Sequence, residues 1–97
     1  MGNIYEKIEL KRKEILEIAS KHGAINLRIF GSVARGDDDE QSDLDLLVDL
    51  GDNLSSWFPV GLVEDLENCL GLKVDVVTPK GLKERIREAV LKEARPL

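Results

Sequence analysis

The sequence predicts an α/β (α+β) domain: a mixed sheet of three or slightly more strands covered by helices. Three observations carry this. Apolar residues recur at helical spacing over residues 4–22, 57–70 and 82–90. Short runs with two-residue alternation lie between them at residues 24–30, 43–50 and 73–78. The resulting order, helix, strand, strand, helix, strand, helix, suits one layered unit. The 97 residues are enough for a single domain spanning 1–97 and no second module. The connection between Phe30 and Asp43 permits several strand orders, so the order stays open.

In residues 4–22, Ile4, Ile8, Ile15, Ile18 and Ala19 share one helical stripe, and Glu9–Lys13 and Glu17–Lys21 are spaced for i,i+4 pairing. Gly23 supplies the stop. His22, the only histidine, lies on the same stripe with no second histidine or cysteine nearby, which favours packing or capping over metal ligation. Ile25, Leu27 and Ile29 then alternate as in a strand that ends at Gly31. Ser32 to Arg35 has the composition of a helical turn whose free N–H groups attract phosphate. Residues 36–42 are polar, with four consecutive acids, and form an exposed loop.

The next strand, residues 43–50, places Leu44, Leu46, Val48 and Leu50 on one face and Asp43, Asp45 and Asp49 on the other. Two residues of rise separate Asp43 from Asp45 by roughly 7 Å at Cα, within reach of one metal centre. Trp57-Phe58-Pro59 opens a helix whose buried face is Leu62, Val63, Leu66, Cys69 and Leu70, with the aromatics in the core or at the helix entry. Gly71 closes it. In the strand at 73–78, Val74 and Val76 share a face and Asp75 projects from the other. Pro79 and Gly81 end that strand, and Leu82, Ile86, Ala89 and Val90 form the apolar stripe of a final helix rich in Lys and Arg.

Apolar residues make up 42% of the chain and charged residues 34%, too apolar and too periodic for disorder. Cys69, being single, excludes an internal disulfide or a thiolate metal cluster and is read as a buried small apolar residue. No apolar run approaches the roughly 18 residues of a membrane span, and the first 20 residues are too charged for a signal peptide, so the expected location is the cytoplasm. The net charge of −5 argues against a general nucleic-acid binder. It is distributed unevenly. Residues 25–72 hold two Arg against eleven acids, and residues 73–97 hold seven Lys or Arg against four.

Asp43, Asp45 and Asp75, brought together, would repel one another without a cation. Their oxygen-only donor set indicates Mg²⁺ or Mn²⁺, ions commonly shared between a few carboxylates and substrate phosphates. Gly31 allows close backbone approach, Ser32 adds a hydroxyl and Arg35 a positive charge, together a cradle for a nucleotide triphosphate. The combination is that of two-metal phosphoryl transfer. An EF-hand starting at Asp37 would need Gly at position 42 and Glu at position 48, which are Ser42 and Val48. Neither a Walker sequence nor G-x-G-x-x-G is present.

Gly31-Ser32, the ten-residue gap and Asp43-Leu44-Asp45 resemble the GS-x10-DxD signature of the DNA polymerase β-like nucleotidyltransferase superfamily. FGSVARG, SDLDLLVDL, KVDVVTPKGL and REAVLKEA are similar to the minimal nucleotidyltransferases, small proteins usually encoded beside an all-helical HEPN-domain protein. The resemblance implies that Gly31 and Ser32 hold nucleotide phosphates, that Asp43 and Asp45 bind Mg²⁺, and that Asp75 completes a catalytic carboxylate triad. It also implies a HEPN RNase toxin as partner in a hetero-oligomer. The chain would act as a type VII antitoxin, moving AMP from ATP to a toxin tyrosine and releasing pyrophosphate. Two alternatives stay open: an antitoxin that only occludes its toxin, and a nucleotidyltransferase acting on nucleic acid or a small molecule.

Overall fold

The structure, a computed structural model, describes residues 4–39 and 41–97. Its elements are α1 (Ile4–Leu10), α2 (Arg12–His22), β1 (Ala24–Phe30), α3 (Ser32–Arg35), β2 (Leu44–Leu50), α4 (Val60–Leu70), β3 (Val74–Val77), a 3-10 turn (Pro79–Gly81), α5 (Glu84–Glu93) and β4 (Arg95–Pro96). The sheet order is β3-β2-β1-β4. β1 runs antiparallel to both β2 and β4, while β3 runs parallel to β2. A parallel pair needs a crossover, which α4 supplies.

The expected α/β sheet is therefore present, with one strand more than the alternation revealed. Two residues, Arg95 and Pro96, are too few to show a period. The core gathers Ile8, Ile15 and Ala19 from the first helices, Leu62, Leu66 and Leu70 from α4, and Leu27, Ile29, Leu44, Leu46, Val48 and Val74 from the sheet. Leu47 and Leu82 are also buried but lie outside that cluster, so β2 is covered on both faces at Leu47.

Several expectations are corrected. The first helix is not continuous: it breaks at Lys11, whose N–H is shared between the Lys7 and Ile8 carbonyls and whose Nζ donates to the Cys69 carbonyl on α4. Ile25 leaves the core face because β1 carries a bulge between Ile25 and Arg28, where Asn26 takes a φ of 51° and donates to Asp49 Oδ2. Leu50 is exposed at the far end of β2. Trp57 is 83% exposed, and only Phe58 packs against the core. Cys69 is half-buried, and burial followed by the neighbouring Glu14 carboxylate raises its thiol pKa. α5 buries none of its residues; Leu82, which precedes it, is the only member of the expected stripe that is buried.

His22 fulfils its packing role and does more. Buried at the end of α2, its ring accepts or donates at both nitrogens, to Ser55 Oγ and Asp65 Oδ2, each at 2.7 Å. Gly61 lies against the ring, where a Cβ would stand 3.0 Å from Cε1.

Candidate active site

The register brings the expected site residues to one rim. β1 ends at Phe30, which pairs with Asp45 on β2, so Gly31 emerges directly beside Asp45. On the other side of β2, Asp45 pairs with Asp75 of β3. Asp43 precedes β2 by one residue and faces as Asp45 does, two positions away. Both Asp43 and Asp75 are exposed, whereas Asp45 is half-buried. Adjacent strands lie about 4.8 Å apart, so Asp45 and Asp75 are immediate neighbours on one face.

Electrostatics mark the same place. The pKa of Asp45 is raised, first by burial, then by the charges of Asp75 and Asp43, with Arg35 partly opposing them. Asp49, in the same alternating series, belongs elsewhere: hydrogen bonds from Asn26 and Arg28 hold its carboxyl below the usual range. It is a structural acid at the opposite end of β2.

Ser32 opens α3, and Gly31 precedes it with φ 78°. The Arg35 guanidinium donates to Asp37 Oδ2 at 3.2 Å and to Glu93 Oε1 at 2.9 Å, contacts that raise its pKa. Glu93 Oε2 also accepts the Gly31 N–H at 2.9 Å. The Arg35 hydrogen bond and then the Gly31 N–H lower the Glu93 pKa. Sequence reasoning missed Glu93. The only available signal was an acid within a basic tail, and nothing local ties position 93 to position 31.

Among the described residues, no three His, Cys, Asp or Glu side chains are gathered into a closed ion-holding cluster. The donor chemistry nevertheless fits a hard divalent cation: the carboxylates of Asp75, paired with Asp45 across the strands, and of Asp43, two residues away, both disfavour the ionised form of half-buried Asp45. Asp43, Asp45 and Asp75 would hold such an ion.

The nucleotidyltransferase domain family matches residues 11–97. A candidate protein adenylyltransferase of Methanocaldococcus jannaschii is 42% identical over 86 residues, covering 89% of this chain and 91% of its own length. The protein adenylyltransferase MntA of Thermococcus cleftensis is 40% identical over 77 residues, covering 79% of this chain and 78% of its own. Among solved structures, a candidate minimal nucleotidyltransferase superposes with TM-score 0.85 at 43% identity, covering 99% of this chain and 97% of that one. A toxin-antitoxin crystal structure with AMP-PNP shares the fold, with TM-score 0.71 at 21% identity, covering 87% of this chain and 69% of that one. With the Gly31 turn set against the Asp45–Asp75 pair and the match running through to the last residue, the chain belongs to the nucleotidyltransferase domain family, as a minimal nucleotidyltransferase.

Proposed function

We propose that the chain is a Mg²⁺-dependent protein adenylyltransferase that moves AMP from ATP to a tyrosine hydroxyl of a HEPN-domain RNase toxin, neutralising it. The observation that carries this reading is the pairing of Asp45 with Asp75 beside the Gly31 turn. The names of the relatives support the adenylyl group and protein acceptor. The resemblance to minimal nucleotidyltransferases supports the HEPN partner.

In this reading Gly31, Ser32 and Arg35 orient the triphosphate, and Asp43 and Asp45 fix the reacting end. Asp75 takes the proton of the acceptor hydroxyl. The hydroxyl oxygen forms a bond to the α-phosphorus as the bond to the pyrophosphate oxygen breaks. Bound divalent ions would supply charge neutralisation on the phosphates and a lowered pKa for the acceptor. Positioning and charge account for most of the acceleration.

Intact mass of the HEPN partner after incubation with the chain, ATP and Mg²⁺ tests it. The expected gain is about 329 Da per AMP unit, abolished by Asp43→Ala with Asp45→Ala. A second reading, neutralisation by occlusion alone, is favoured by Ile86 and Leu91, which are exposed on α5. It is established instead if the double mutant still binds and silences the partner with no mass gain in the wild type.

A further inference from the structure

Gly31 and Arg35 are two of the residues assigned above to a nucleotide phosphate, yet in this structure the Gly31 N–H and the Arg35 guanidinium are both bonded to the side chain of Glu93. The match of donors is specific. One carboxylate oxygen takes the backbone N–H and the other takes the guanidinium, each at 2.9 Å, the same pair of donor types with which a turn and an arginine hold a phosphate. Glu93 is only partly exposed at this contact, with 23% of its side-chain surface accessible.

We propose that Glu93 is an internal stand-in for a nucleotide phosphate, a latch that occupies the cradle at Gly31 and Arg35 until the triphosphate displaces it. This rests on the reading that the cradle binds phosphate.

Three features make the exchange physically sensible. α5, which carries Glu93, buries none of its residues, so little apolar packing holds the latch in place. The strand that follows, β4, contributes two residues to the sheet. Glu93 also adds to the negative charge felt by Asp45, alongside Asp75 and Asp43. A triphosphate entering with Glu93 in place would meet that carboxylate at the same two donors, and like charges sharing donors exclude one another. Release of Glu93 leaves Gly31 and Arg35 for the incoming phosphate oxygens.

The test is ATP affinity by calorimetry, in Mg²⁺, for the full wild-type chain, Glu93→Gln and Glu93→Ala. The latch predicts tighter binding in both variants, by about 3- to 10-fold for Ala and less for Gln, which still accepts the Gly31 N–H. Equal or weaker affinity in both, with the wild type binding normally, overturns the latch and leaves the cradle standing. Absence of ATP binding in all three overturns the cradle reading and the latch with it. The wild type alone provides a second readout that needs no variant to fold. A crystal structure with AMP-PNP should place phosphate oxygens on the Gly31 N–H and Arg35 with Glu93 released; Glu93 still bonded to both overturns the proposal.

Discussion

A Cβ built on Gly31 would collide with Asp45 Oδ2, and the backbone there has φ 78°. Gly36, at the other end of α3, has nearly the same backbone, φ 79°, but open space around its Cα. The two glycines thus separate backbone strain from crowding of the site. Gly36→Ala should cost about 1 kcal/mol in chemical denaturation and leave transfer activity near wild type. Gly31→Ala should cost about 2 kcal/mol or more and lower transfer about 100-fold, because Asp45 must move. Equal activities for the two variants would remove Asp45 crowding as the reason for glycine at 31. Part of this was legible in the sequence: Gly-Ser after a strand, followed by Asp-x-Asp, pointed to phosphate and metal. The contact of Gly31 with Asp45 was not, because it depends on Phe30 pairing with Asp45 across a loop whose length sets no register.

Among the elements, α2, the segment after β2 and α4 meet at His22. Its ring joins Ser55 to Asp65, its carbonyl accepts the Ser55 N–H, and Gly61 allows α4 to close on it. His22→Ala would leave a void and two polar partners without their bond, at a cost of about 2–4 kcal/mol in urea unfolding. Transfer per folded molecule should be unchanged, since the ring lies at the end of β1 opposite Gly31. A drop in transfer beyond the loss of folded protein would assign His22 a part in the site. The sequence placed His22 on the buried stripe, but Ser55 and Asp65 lie 33 and 43 residues away and carried no sign of it. α5 shows the complementary shortfall. Helical period identifies which residues share a face, and it is silent on whether anything covers that face: Ile86 and Leu91 are each 44% exposed.

Across the whole molecule, carboxylates at the two ends of the sheet have opposed effects on stability. The Asp45 pKa is raised on folding, so its ionised form opposes folding at neutral pH, and the opposition fades as pH falls through the raised pKa toward the ordinary 3.8. Glu93 and Asp49 are lowered; their stabilisation is complete above the ordinary 4.5 and 3.8 and is lost as pH falls through the depressed values. Asp45→Asn should therefore raise the metal-free Tm at pH 7 by roughly 2–5 °C, a gain that shrinks in acid. Mg²⁺ should raise the Tm of the wild type and not that of Asp45→Asn. A metal-free Tm lowered by the substitution would show that favourable contacts hold the ionised Asp45 without any cation. The uneven charge was plain in the sequence. Its focus on Asp45 required the parallel pairing with β3, which no local pattern encodes.

The antiparallel ladder of β1 and β2 does what the signature's spacing does not. The ten residues between Ser32 and Asp43 measure distance along the chain, whereas the cradle and the carboxylates are joined in space by the β1–β2 ladder, through Phe30 and Asp45. The segment after α3 is thus a tether, fixed to the proposed cradle at Asp37, which accepts from Arg35, while the strands set where Asp43 and Asp45 stand. Lengthening it would add only the slowly growing entropy of a larger loop. On the proposed reading, the chain carries its chemistry as two half-sites clipped together by strands.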